Sequence, residues 1–221
     1  MEPLNDSNPD DIRKLVFFAA GGDRAAWSQL VDRYHPRLRR MVALRMDQRL
    51  RARVDPSDVL QEAYLDASNQ IADYLANPIL PFYLWLRMVA GGRLGKTHRF
   101  HLGTKMRDAD LEVPLNGPAC PGVSSHSLAD MILARDNPPE ADLERDDRRR
   151  VVRDALDHLT ADDREVLSLR HFERLAIEEI AQVLNVSKAA AGKRYLRAAA
   201  RLKKLLSTLP NGQDLLSTPP E

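Results

Sequence analysis

The stretch from Ala176 to Leu206 leaves the chain little freedom. In AIEEIAQVL apolar residues recur at helical spacing, Asn185-Val186 suits a tight turn with Asn in the left-handed region, and Ser187 fits the cap of a following helix. Two helices joined so closely form a helix-turn-helix. In the second one Ala191, Tyr195, Ala198, Leu202 and Leu205 share a stripe, while Lys193, Arg197, Arg201 and Lys204 run along another face. From Ser187 to Lys204 there are seven Lys or Arg and no Asp or Glu, in a chain whose formal net charge is only +1. Charge segregated in this way addresses a polyanion. A recognition helix enters the major groove by its first turns. Lys188, Ala190 and Lys193, behind the Ser187 cap, are therefore placed to approach bases, and Arg194 and Arg197 to hold phosphates. The plain alternative, a solvated basic helix on a small bundle, leaves the agreement of turn, stripe and charge to coincidence.

The rest of the chain divides by charge. Residues 11–100 carry 15 Lys or Arg against 9 Asp or Glu, residues 101–159 carry 8 against 12, and residues 160–206 carry 10 against 6. Two basic blocks thus flank an acidic connector, which fits a polyanionic partner touched at two places. With 221 residues, 43% hydrophobic, 5% aromatic and 29% charged, and few alternating runs, the chain should be globular and all-α. No run approaches the roughly 20 uncharged apolar residues of a membrane span, and the polar, acidic start is unlike a signal peptide, so a cytoplasmic protein without membrane attachment is expected. The one cysteine, Cys120, lies in a Pro/Gly-rich stretch, which rules out an internal disulfide and reads as an ordinary loop residue.

Helical punctuation recurs along the chain. Asp23 can cap a helix carrying Trp27, Leu30, Val31, Tyr34, Leu38, Met41 and Val42, with Pro36 placed to bend it. Asp55-Pro56 opens a second, with Val59, Leu60, Ala63, Tyr64, Ala67, Ile71 and Leu75 as its stripe. Pro81 starts a third, which is expected to loosen at Gly91, Gly92 and Gly95. From about 103 to 140 periodicity fades into a Pro, Gly, Ser and Asp-rich linker. A charged helix over Leu143–Leu159 follows, then a helix opened by Thr160 with Asp163 in a capping box. Two small helical domains joined by a flexible linker are the expected architecture: a tail over 1–10, a domain over 11–102, the acidic linker over 103–140, a domain over 141–206 and a tail over 207–221.

Two features outside the helix-turn-helix invite a chemical reading. Asp58, Gln61, Glu62 and Asp66 stand three and four apart and form a polar ridge beside an apolar stripe, which suits either a solvated face or a protein partner. Residues 90–97, AGGRLGKT, match a permissive phosphate-loop pattern. That mechanism needs a strand before the loop and an apolar-periodic helix after it, and HRFHLGTK does not supply the helix. A nucleotide-hydrolysing enzyme is therefore the weakest reading. His98 and His101 have no evident third metal ligand, and no nucleophile, base and orienting acid can be assembled. Neither a metal nor a cofactor is expected, and no enzyme activity.

Taken together, these residues resemble the extracytoplasmic-function sigma factors of the sigma-70 family, initiation subunits of bacterial RNA polymerase. GDRAAWSQLVDRYHPRLRR is similar to the first helix of their domain 2. Asp58-Val59-Leu60-Gln61-Glu62-Ala63-Tyr64 is similar to the D-x-x-Q-E-x-aromatic segment that docks on the clamp helices of the polymerase's largest subunit, and Phe82, Trp85 and Leu86 fit the promoter-melting helix. Leu159 to Leu206 resembles domain 4, whose helix-turn-helix reads the minus-35 element. The resemblance implies core-polymerase binding through Asp58, Gln61 and Glu62. It implies minus-ten contacts near Trp85, Arg87, Arg93, Lys96, His98 and Arg99, and minus-35 contacts at Ser187, Lys188, Ala190, Lys193, Arg194 and Arg197. Promoter DNA and core polymerase are the implied partners, and an anti-sigma factor is a further one that the resemblance allows. Gly92 stands where many relatives have Asn, and Ala190 and Gly192 where Thr and Lys are commoner, so an unusual promoter sequence is expected. The remaining alternative is a stand-alone helix-turn-helix regulator that binds DNA without polymerase.

Overall fold

A computed structural model describes residues 9–102, 120–135 and 142–208, and every regular element in them is a helix. In chain order these are α1 (Pro9–Ala20), α2 (Arg24–Arg45), α3 (Gln48–Arg51), α4 (Pro56–Ala76), α5 (Phe82–Leu102), α6 (Ser125–Arg135), α7 (Asp142–Asp157), α8 (Ala161–His171), α9 (Ile177–Val183) and α10 (Lys188–Ser207). The all-α class expected from the composition is observed. None of these helices is long and apolar enough to cross a membrane. The chain divides into two units, residues 1–42 with 49–121, and residues 43–48 with 122–221.

In the first unit the helix starts are written in short side chains. Asp23 Oδ1 accepts from the N–H groups of Ala25 and Ala26, and Asp55 Oδ1 accepts from Ser57 N at 2.7 Å. Asp58 returns the favour by accepting from Asp55 N at 3.3 Å, so α4 opens on a reciprocal capping box with Pro56 in its first turn. Helix α2 continues through Pro36. Leu30, Leu38 and Met41 of α2, Leu60, Ala63 and Ala67 of α4, and Leu86, Ala90 and Leu94 of α5 are fully buried and form the core. At one end of it Tyr74 stacks on Trp85 with ring centroids 4.7 Å apart, and Phe82 packs against both.

The glycines of α5 do not loosen it: the helix runs unbroken from Phe82 to Leu102. Gly91 is instead required by packing, because a Cβ there would lie 2.7 Å from the Cys120 sulfur.

In the second unit α6 lies inside the segment expected to be a linker. It is held to α7 by Arg149 with Asp130 at 3.1 Å and by Ser125 donating to Asp157 at 2.5 Å. Residues 103–119 of that linker, and nearly all of both expected tails, lie outside the described residues. Val152 and Leu156 of α7, Val166 and Leu169 of α8, Ile180 of α9, and Ala191 and Ala198 of α10 close the core. Arg45 belongs to this unit, and its buried guanidinium pairs with Glu165 and with the fully buried Glu173. Thr160 caps α8 by accepting from Asp163 N at 3.2 Å. The Asp163 carboxylate, expected to complete a capping box, instead takes a hydrogen bond from Arg201.

Candidate nucleic-acid interface and docking ridge

The turn between α9 and α10 has the predicted geometry. Asn185 adopts φ 51°, which an Asn tolerates better than most residues, and Val186 N donates to Ala181 O at 2.9 Å across the turn. Ser187 Oγ accepts from Ala190 N at 3.2 Å and starts α10, while Glu179 reaches back to the Ala176 N–H and starts α9. The buried residues Ala191, Ala198 and Leu206 and the half-buried Tyr195, Leu202 and Leu205 face the core. Tyr195 also meets His171 Nε2 at 3.2 Å, which ties α10 to α8.

This packing sorts the basic residues. Lys188 pairs with Glu178 of α9, whose carboxyl is held below its ordinary value mainly by the hydrogen bond from Lys188. Both groups are well exposed, so a phosphate can take Lys188 over at small cost. Arg194 leans 3.9 Å from Asp162, and Arg201 is drawn back onto Asp163 at 2.6 Å. Lys193 and Arg197 project into solvent, with Ala190 half-exposed beside them. Leu196, which sequence reasoning passed over, is 67% exposed between the two cations. An uncovered leucine on a basic helix suits contact with a thymine methyl. Among the described residues Gly192 has only Ile177 Cγ2 near it, at 3.9 Å from where a Cβ would stand, so none of them demands glycine there.

On α4, Asp58, Gln61 and Glu62 are all exposed. Asp58 already serves the capping box, which fixes its carboxylate at the first turn. The cap residue Asp55 has its carboxyl held below the ordinary value of 3.8, chiefly by the Ser57 N–H. Leu65 is 66% exposed one turn beyond Gln61. It is named in neither the ridge nor the stripe read from the sequence, although its spacing of four from Gln61 places it on the ridge. Helix α4 is anchored by Tyr64, whose hydroxyl lies 3.0 Å from His35 Nδ1 and whose pKa is pushed up, first by burial and then by Asp32.

The α5 residues separate into two groups. Trp85 and Arg87 are 7% and 6% exposed, the first within the aromatic cluster. Lys96 and Arg99 are exposed toward the carboxy end, His98 is half-buried, and Phe100 is 83% exposed against the edge of His101. Phe100 was missed; the signal was an aromatic among basic residues with no place on the apolar stripe. Arg93 turns toward α4 and meets Asp66 and Glu62. Between α4 and α5 lies a groove of about 440 Å³ that brings together Asp58, Glu62, Arg93, Lys96 and Phe100. The phosphate-loop reading of residues 90–97 does not survive, because these residues are helical and their amides do not face a cradle. Thr97 Oγ1 donates to Arg93 O at 3.1 Å, a bond along the helix and not one toward a metal. Among the described residues no three His, Cys, Asp or Glu stand together as metal ligands would.

Comparison with known proteins agrees with this arrangement. Residues 149–202 match the family model for sigma-70, region 4. The chain is 30% identical over 209 residues to RNA polymerase sigma factor CnrH of Cupriavidus metallidurans, covering 90% of this chain and 96% of that one. It is 27% identical over 197 residues to the RNA polymerase sigma-H factor of Pseudomonas aeruginosa, with 89% and 94% covered. The ECF RNA polymerase sigma-E factor of Haemophilus influenzae is 24% identical, with 88% and 95% covered. The solved structure of CnrH in complex with the cytosolic domain of CnrY shares the fold at a TM-score of 0.55 and 24% identity, with 90% and 99% covered. A helix-turn-helix with outward cations and an exposed D-x-x-Q-E ridge thus occur in a chain alignable nearly end to end with these proteins: it belongs to the extracytoplasmic-function RNA polymerase sigma factors of the sigma-70 family.

Proposed function

We propose that the chain is a promoter-specificity subunit that joins core RNA polymerase, places it on promoter DNA and assists opening, with RNA synthesis left to the polymerase. The observation that carries this reading is the pairing, in one chain, of an exposed D-x-x-Q-E ridge on α4 with a helix-turn-helix in a separate unit whose α10 turns cations outward. Residues 11–102 serve as domain 2 and residues 141–206 as domain 4. Asp58, Gln61 and Glu62, with Leu65 as the apolar element, meet the clamp helices of the largest subunit, where acidic and amide groups match a basic, polar surface. Lys188, Ala190 and Lys193 read the upstream duplex, and Arg194 and Arg197 hold its backbone. Lys96, Arg99 and Phe100 form the part of α5 that can receive a displaced strand, two cations for its phosphates and a ring for a base. Trp85 and Arg87 support that helix from within in this conformation.

Because CnrH is solved in complex with the cytosolic domain of CnrY, a regulatory protein partner is proposed here as well. The chain would then act in the cytoplasm, beside polymerase and DNA. The test is reconstituted transcription: core polymerase with this chain should initiate on a subset of genomic promoters that core alone ignores. Specific, polymerase-independent binding of the chain to the same sites would favour the stand-alone regulator.

A further inference from the structure

The family resemblance implies a minus-ten contact for Arg93, and its surroundings do not favour one through a phosphate. Its Nε and Nη2 donate to the two oxygens of Asp66, at 3.0 Å to Oδ2 from Nε and 2.6 Å to each from Nη2, and Nη1 donates to Glu62 Oε2 at 3.3 Å. The fork of the guanidinium is therefore filled by a carboxylate in the geometry it holds most strongly. The Arg93 charge thus faces two carboxylates, Asp66 and Glu62, and is already offset before any phosphate approaches it. The Arg93 and Asp66 side chains are only 24% and 25% exposed, which limits screening of the pair.

The position along α5 gives the pair a purpose. Gly91, Gly92 and Gly95 surround Arg93, and each glycine within a helix costs roughly 1 kcal/mol relative to alanine. By propensity alone this is the weakest stretch of an otherwise unbroken α5, and Lys96, Arg99 and Phe100 lie just beyond it. We propose that Arg93 is a positioning residue: its bond to Asp66 pins the glycine-rich middle of α5 to α4 and so aims the last turns of α5 at the promoter strand. This inference rests on the reading of α4 as the docking helix and α5 as the opening helix.

The test uses the full chain assembled with core polymerase. Arg93→Gln, Arg93→Lys, Asp66→Asn and the Arg93→Gln/Asp66→Asn double variant are compared for core affinity, for permanganate reactivity of promoter thymines, and for the salt dependence of promoter binding. A positioning role predicts that each single variant lowers opening by about tenfold, the scale of one charge-assisted hydrogen-bonded pair, and that the double variant is no worse than either. Core affinity and the salt slope stay at the parental values, and Arg93→Lys fails to rescue because an ammonium cannot fill the fork. A direct phosphate contact gives the opposite pattern and overturns the proposal: Arg93→Gln flattens the salt slope by about 0.9, Arg93→Lys restores function, and Asp66→Asn is neutral or favourable. If Arg93→Gln does not fold, as judged by circular dichroism, Arg93→Lys and Asp66→Asn decide the matter alone. Absence of core binding by the parental chain would instead sink the functional reading beneath it.

Discussion

Arg201 of α10 donates from Nη1 to Asp163 Oδ2 of α8 at 2.6 Å, and the carboxylate it reaches is almost entirely buried. A cation that sequence places on the DNA face is thus spent on the fold. Arg201→Ala leaves a buried carboxylate without its ionic partner and should destabilise the chain by about 1–3 kcal/mol, visible in thermal or urea unfolding. The salt slope of promoter binding should not change. By contrast Arg197→Ala, at an exposed position, should leave stability within about 0.5 kcal/mol and reduce that slope by about 0.9.

Gly192→Ala separates stability from recognition. A methyl at this position meets only Ile177 Cγ2 at ordinary contact distance, so the variant should gain up to about 1 kcal/mol of helix stability. If glycine is kept there for close approach to DNA, promoter binding by the holoenzyme should weaken while the unfolding midpoint rises. Equal promoter binding would show that the glycine is incidental to recognition.

Gly91→Ala is the reverse case. The new methyl would stand 2.7 Å from the Cys120 sulfur and 2.8 Å from its Cβ, and Cβ cannot be moved by a rotamer change. A loss of about 1–3 kcal/mol is expected, the usual cost of overpacking. Cys120→Gly in the same chain should recover more of it than Cys120→Ala, which retains the Cβ; thermal unfolding of the three variants checks the order.

Asp55 gives a signed pH effect. Its carboxyl is held below 3.8 by the Ser57 N–H, so the stability it contributes is present above that pH and is lost as pH falls through the lower folded value. Asparagine also caps helices but does not titrate in this range. Asp55→Asn should therefore match the parent near neutrality and show a shallower loss of thermal midpoint below about pH 4.

Much of this architecture was legible because local chemistry decides it. Asp23, Asp55, Thr160 and Ser187 all accept from helix-start amides, and Asn185 takes the left-handed turn read from the chain. Tertiary partners explain the rest. Helix α6 sits in a stretch with weak periodicity and is ordered by Asp130 and Ser125 against α7. Arg93 and Asp66 are far apart in sequence, and nothing in GGRLG announces a carboxylate. Trp85 shows the same limit: spacing marks an aromatic, but stacking on Tyr74 decides that it faces inward.

Phe100→Ala tests the outer end of α5. The ring is too exposed for its loss to change unfolding by more than about 0.5 kcal/mol. If it stacks on a displaced base, permanganate-detected opening should fall by a factor corresponding to about 1–3 kcal/mol, with core affinity unchanged. A loss of core affinity would place Phe100 on the docking surface instead.

The central claim is that α4 carries the chain onto core RNA polymerase. The most direct measurement is co-elution of the purified chain with bacterial core enzyme, beside a folded Gln61→Ala/Glu62→Ala variant. The account predicts a stoichiometric complex for the parent and its loss in the variant. Failure of the parent to associate, or undiminished association of the variant, would contradict it.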